Sequence, residues 1–255
     1  MIITGASSGI GEAAAGEFAG KGASVVLVAR NKDKLYRAEQ SMQVSGDRTL
    51  AVQCDVSKKK EVAEMARLVE EKFGTPDILV NNAGFAVYGR VRDLSIEDIE
   101  AQMATNYTGM VYCTKAFLSG MLDRGSGHIV NVASAAASFG LPGIAAYSAS
   151  KFAMLGFSEG LGHELVGTGV GITVVSPIGV KTSFFDGPSF SKMRGRPPLS
   201  LSPKTVARAI VGAASSRRRE IMVPFATRGA VWAKHTIPYV VNPAVGSIFR
   251  RALRD

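Results

Sequence analysis

Thr4-Gly5-Ala6-Ser7-Ser8-Gly9-Ile10-Gly11 is the stretch that decides how this chain is read. The apolar run Met1–Ile3 precedes it, and a helical run to about Gly20 follows. Glycines placed between a strand and a helix let the backbone turn tightly. They also let a pyrophosphate approach the positive end of the helix. A Gly-rich turn is a weak signal alone, and its position at the start of a βαβ unit is what gives it weight. The first strand is short, so the natural chain is expected to begin a few residues earlier.

Outward from that turn, short β-branched runs alternate with segments of helical period, the pattern of a parallel sheet built from βαβ units. Strands are expected at Met1–Thr4, Val25–Ala29, Leu50–Cys54, Ile78–Asn81, His128–Val132, Gly171–Ser176 and Glu220–Val223. Most are continuous apolar runs, as expected of strands covered by helices on both faces. Helix starts are marked by Ser57 before Lys58–Phe73, by Ser95 before Ile96, and by Ser202 with Pro203 at the first helical position. Gly74-Thr75-Pro76 stops a helix ahead of the fourth strand. Two stretches break the alternation. Residues 182–201 are rich in Gly, Pro, Ser and Phe and read as a lid, and residues 224–255 continue past the last strand as a basic extension.

A length of 255 residues, with 46% apolar and 20% charged side chains, suits a soluble protein of one large α/β domain or two small ones. Two cysteines, Cys54 and Cys113, are too few for a disulfide framework and read as reduced packing residues. His128, His163 and His235 show no metal-ligand spacing, and no metal site is expected. No secretory leader is evident, and no apolar run approaches the roughly 20 residues needed to span a bilayer. A cytoplasmic location is therefore expected, with membrane association at the C-terminus as an open variant. The net charge of +9 is unevenly spread: residues 1–180 carry −2, whereas residues 181–255 hold 14 Lys and Arg against 3 Asp and Glu. The basic character belongs to the C-terminal segment.

The glycine spacing is T-G-x-x-x-G-x-G, and six further motifs follow in order. These are Asp55-Val56 after the third strand, Asn81-Asn82-Ala83-Gly84 after the fourth, Asn106 in a helix, Ser134 after the fifth, Tyr147-x-x-x-Lys151, and Pro177-Ile178-Gly179 with Thr182. Together they resemble the short-chain dehydrogenase/reductase family of about 250 residues, over roughly residues 1–222. The resemblance implies a single-domain Rossmann fold over residues 1–223. Its sheet would be doubly wound, seven-stranded and parallel, in the order 3-2-1-4-5-6-7, with helices on both faces. It also implies a nicotinamide cofactor held by Gly5, Ser7, Ser8, Gly9, Ile10, Asp55, Val56, Asn82, Ala83, Gly84, Tyr147, Lys151, Pro177, Ile178, Gly179 and Thr182. Asp55 and Val56 would contact the adenine. One departure stands out: the family often has Pro-Gly after the sixth strand, where this chain has Pro177-Ile178-Gly179.

The second strand ends Val28-Ala29-Arg30-Asn31-Lys32, without the carboxylate that would bind a ribose 2′-hydroxyl. Arg30 suits a 2′-phosphate through its planar fork, and Ser7 adds a hydroxyl. NADP is the expected cofactor, with NAD the alternative.

Tyr147 and Lys151 are one helical turn apart and share a face if they open a helix. A phenol with pKa near 10 is a poor acid or base at neutral pH, and a nearby ammonium favours its phenolate. Ser134 at a strand end is placed to hydrogen-bond a substrate oxygen. By resemblance, Asn106 kinks its helix and anchors a water relay to Lys151. The activity implied is carbonyl–alcohol interconversion, the cofactor supplying hydride and Tyr147 the proton.

The lid holds Phe184, Phe185, Phe190, Met193 and Leu199, which fit an apolar substrate and fit packing on the domain equally well. Near the end of the chain, Val245, Ile248, Phe249, Ala252 and Leu253 share one helical face opposite Arg250, Arg251 and Arg254. With Arg217-Arg218-Arg219, Arg228 and Lys234, this helix either docks on the domain or a second subunit, the favoured reading, or lies on an anionic membrane. By resemblance a homodimer or homotetramer is expected, through helices near 97–122 and 150–167. A nucleic-acid partner is not, because no helix-turn-helix or interleaved aromatic pattern accompanies the charge. A cofactor-sensing regulator on the same fold would be expected to lose catalytic residues, and all four are present. An epimerase or dehydratase of the extended branch is disfavoured by glycine spacing and length.

Overall fold

The computed structural model describes residues 1–42, 47–193, 200–216 and 218–250. Seven strands form one parallel sheet: β1 (Ile2–Thr4), β2 (Val25–Ala29), β3 (Thr49–Gln53), β4 (Ile78–Asn81), β5 (Gly127–Val132), β6 (Val170–Pro177) and β7 (Glu220–Val223). Their order is β3-β2-β1-β4-β5-β6-β7. The expected fold class is thus observed, with strand ends displaced by no more than one residue from the sequence reading.

The continuous apolar strands have a simple cause. Successive side chains point to opposite faces, and each face carries its own core. Ile3, Leu27, Val80 and Val130 face Ala15 and Phe18 of α1 (Gly9–Ala19), Leu35 of α2 (Lys32–Ser41) and Ile210 of α7 (Pro203–Ala213). Their neighbours Ile2, Val26, Leu79 and Ile129 face Met65 of α3 (Lys59–Phe73), Phe117 and Met121 of α5 (Gly109–Arg124) and Leu161 of α6 (Ala145–Glu164). Each fully buried large side chain here contributes about 1.5–3 kcal/mol relative to exposure. Cys54 and Cys113 are buried and unpaired, and burial raises both thiols, Cys54 to about 12.

Ser95 and Ser202 cap their helices as expected, accepting from the Asp98 and Thr205 amides. Ser57 does not. Helix α3 starts at Lys59 with Lys58 at the cap position, and the Ser57 hydroxyl instead donates to Asp55 Oδ1 at 2.8 Å. Between α4 (Ile96–Met103) and α5 the helix widens into a π-turn, Ala104–Thr108, which contains Asn106. The last described elements are α8 (Thr227–Thr236) and α9 (Pro238–Arg250). Arg217 and Leu199, the side chains of Ile248, Phe249 and Arg250, and residues Arg251, Ala252, Leu253 and Arg254 lie outside the described residues.

From β1 the chain winds through β2 and β3 on one side, then crosses to β4 on the other. Such a reversal opens a crevice at the carboxyl ends of the strands.

Candidate active site

A cavity of about 1460 Å³ occupies that crevice. It exceeds the 300–1,000 Å³ or so of an ordinary small-molecule pocket, giving room for a dinucleotide and a substrate together. Every predicted cofactor residue lines it except Asp55. The Asp55 carboxylate turns aside to accept from the Ser57 amide and hydroxyl, while its own amide donates to Glu61 Oε2.

The floor of the cavity is the Gly-rich turn. Gly9 has φ +61, and a Cβ there would lie 3.0 Å from Thr182 Cγ2. A Cβ on Gly11 would lie 2.3 Å from the Gly5 carbonyl oxygen. Helix α1 can press against the turn only because these positions lack side chains. Ser8 stands at its cap position without a side-chain capping bond. Thr4, which sequence reasoning did not single out, ties the turn to the loop after β4. Its hydroxyl accepts from the Asn82 and Ala83 amides, both at 3.0 Å, and the Asn82 side chain donates back to the Thr4 and Gly5 carbonyls. This flat, braced cradle at a helix N-terminus fits a pyrophosphate.

At the end of β2, Arg30 lies 5.9 Å from the Phe85 ring centroid. Lys34 joins it on the cavity wall. Lys34 was missed, although its four-residue spacing from Arg30 was legible. Asn31 caps α2 by accepting from the Lys34 amide at 2.9 Å, which sets the first turn that brings Lys34 round. Among the described residues no carboxylate lines the cavity.

At the other end, Tyr147 and Lys151 occupy one face of the first turns of α6, both buried. Ser134, just past β5, lines the same cavity, its hydroxyl accepting from the Ala136 amide at 3.1 Å. Lys151 Nζ donates to the Val132 carbonyl at 2.9 Å and lies 5.7 Å from the Tyr147 ring centroid. Burial pushes the phenol up to about 12, with the Ser134 hydroxyl acting partly against it, and burial lowers the Lys151 ammonium to about 8. The expected lowering of the phenol is therefore not seen in this cavity. Desolvation by burial is the larger cause, and it favours the neutral phenol.

Asn106 stands behind the cavity. Its Oδ1 accepts from the Phe85 amide, and its Nδ2 donates to the Phe85 carbonyl and to Ser150 Oγ, each at 2.9 Å. The side chain thus clamps the loop after β4 to α6 beside Lys151. At the edge of β6, the Ile178 amide donates to the Val223 carbonyl, and Thr182 accepts from the Phe184 amide.

The lid closes over Tyr147 as an aromatic cluster. Phe184 lies 5.5 Å from the Tyr147 ring, and Phe185 and Phe190 lie 5.2 and 5.9 Å from Phe184. Leu201 ties the far end of the lid to Gly179 and Lys181 through backbone hydrogen bonds. The remaining wall comes from the C-terminal helices: Ala230 and Ala233 of α8, and Val241 and Val245 of α9. Lys234 anchors α8 by donating to the Ser138 carbonyl, its ammonium lying 5.4 Å from the Phe139 ring centroid. No helix among the described residues is long and apolar enough to cross a membrane.

Comparisons with known proteins agree with this geometry. The family profile described as short chain dehydrogenase matches residues 1–189. The bovine (Bos taurus) 3-ketodihydrosphingosine reductase is 36% identical over 226 residues, covering 83% of this chain and 67% of its own. A short-chain dehydrogenase/reductase from Burkholderia phymatum, solved with NAD, superposes with TM-score 0.83 at 29% identity, covering 92% of each chain. Actinorhodin polyketide ketoreductase, solved with NADPH, gives TM-score 0.80 at 31% identity, covering 89% of this chain and 95% of its own. Fold, glycine cradle and the matched profile lead to one assignment: the chain belongs to the short-chain dehydrogenase/reductase family of oxidoreductases.

Proposed function

We propose that this chain reduces an apolar ketone or aldehyde to the alcohol at the expense of NADPH. The observation that carries the reading is the meeting of Tyr147, Lys151 and Ser134 on the wall of one apolar pocket that opens onto the glycine cradle. When bound, the reduced nicotinamide supplies the hydride that goes to the carbonyl carbon. Tyr147 gives the proton to the carbonyl oxygen, and Ser134 orients that oxygen. Lys151 stabilises the negative charge that grows on the phenol oxygen as the proton leaves. Asn106 acts as a positioning residue through Phe85 and Ser150. Arg30 and Lys34 favour the 2′-phosphate of NADPH over NADH; the polyketide ketoreductase, solved with NADPH, is in keeping with that choice, whereas the Burkholderia phymatum protein was solved with NAD. The walls contributed by Phe184, Phe190, Val241 and Val245 favour a long apolar substrate, in keeping with a relative named for a sphingoid ketone. Assembly as a homodimer or homotetramer through α4, α5 and α6 belongs to the same reading.

The test is the loss of reduced-nicotinamide absorbance against a panel of short, aromatic and long-chain aldehydes and ketones. Turnover with NADPH, greatest for the long-chain members, is expected. The pH profile follows from two groups. Below pH 8 Tyr147 is a phenol and Lys151 an ammonium, the forms that the proton transfer needs. Above about 8 Lys151 loses its charge, so the reductive rate is flat through neutrality and then falls. Tight NADPH binding with no turnover of any carbonyl would count against the reading and favour a cofactor-sensing role.

A further inference from the structure

The helices that wall the cavity have a second face. In α8 and α9 the inward residues are Ala230 with Ala233, and Val241 with Val245, spaced three and four apart along one side of each helix. Outside, the turn before α8, α8 itself and the α8–α9 junction expose Phe225, Trp232, Ile237, Tyr239 and Val240. Trp232 is 68% exposed, Val240 65% and Tyr239 92%. Five large apolar side chains exposed within sixteen residues are a concentration that a soluble surface seldom carries without an occupant.

Two features identify that occupant. The first is chemistry, because Trp and Tyr beside aliphatic side chains form the set that settles at a lipid–water boundary. The second is charge. From residue 224 onward the chain has five Lys and Arg against one carboxylate, and from 181 onward 14 against 3, whereas the remainder is slightly acidic. Within the patch Arg228 lies 5.5 Å from the Phe225 ring centroid, carrying its charge alongside the apolar surface. A second copy of this chain would bring two such cationic segments together; an anionic bilayer complements them.

We propose that the outer face of α8–α9 seats the protein on an anionic lipid surface, so that the pocket behind these helices is fed from that surface. The substrate class this fits is a carbonyl compound dissolved in the bilayer. That last step rests on the reductase reading above, whereas the docking itself does not.

Trp232 is the chain's single tryptophan, so its emission reports the patch directly. The full chain is mixed with phosphatidylcholine vesicles, with and without phosphatidylserine, carrying brominated acyl chains. A blue shift and quenching of Trp232 are expected with the anionic vesicles, weakened by high salt and small with the neutral ones. A Tyr239→Ser, Val240→Ser double variant should bind anionic vesicles roughly tenfold more weakly or worse, with an unchanged melting temperature. Three results would overturn the proposal. These are unquenched Trp232 with anionic vesicles, vesicle binding by the double variant equal to that of the parent, or a blue shift that grows with protein concentration without lipid, which would assign the face to a second copy. NADPH titration of the same samples keeps the two readings apart. Failure to bind NADPH would remove the reductase reading and leave the vesicle result standing.

Discussion

Replacing Tyr147 by Phe is expected to lower kcat for carbonyl reduction by about 10²–10⁴-fold, the range that a positioned proton donor supplies. The substitution removes one oxygen from a buried ring that packs on Phe184 and lies beside Lys151, so the shape of the cavity is retained. NADPH affinity should therefore change little, and the loss should fall on kcat and kcat/KM together, as for an interaction made in the transition state. Steady-state kinetics with a fluorescence titration of NADPH separates the two effects. A variant that keeps most of its kcat would remove Tyr147 from the chemistry. One that loses NADPH binding as well would make the phenol part of the cofactor's support.

The second large effect concerns cofactor choice. Arg30 and Lys34 line the same end of the cavity with no described carboxylate to oppose them. A hydrogen bond to a charged group is worth about 1.5–3 kcal/mol, so reversing both charges in Arg30→Asp, Lys34→Glu should lower kcat/KM for NADPH by roughly 10²–10⁴-fold. NADH should be affected little, because Asp at the end of β2 can accept from a ribose hydroxyl. The check is kcat/KM for both cofactors in both proteins. An equal fall for NADPH and NADH would place these side chains in the fold rather than in recognition of the 2′-phosphate.

Much of this architecture is legible in the sequence because two local signals coincide along it. The run at Val25–Ala29 coincides with the observed strand, since an apolar run buried on both faces can be read without tertiary knowledge. Tyr147, Lys151 and Ser134 converge because one helical turn and one strand end set their positions. What escaped depends on which way side chains turn, which residue type and spacing alone do not carry. Asp55 turns away from the cavity because Ser57 and Glu61 engage it. Lys34 enters it through the phase of α2, set at the Asn31 cap. The phenol is held up rather than down because Phe184 and the lid exclude water, a property of closure that spacing does not carry. An amphipathic pattern near the C-terminus shows that a face will be covered. Only the fold shows that Val241 and Val245 line the cavity itself, leaving Trp232 and Tyr239 outside.

The central claim is that hydride and proton meet at one carbonyl in front of Tyr147. Its most direct test is to incubate the protein with NADPH deuterated at the transferable position and the best long-chain ketone of the panel, then analyse the alcohol by mass spectrometry. One deuterium on the carbinol carbon, a single alcohol enantiomer, and no labelled product from Tyr147→Phe on the same timescale are expected. Unlabelled alcohol, or labelled alcohol formed equally well by Tyr147→Phe, would contradict it.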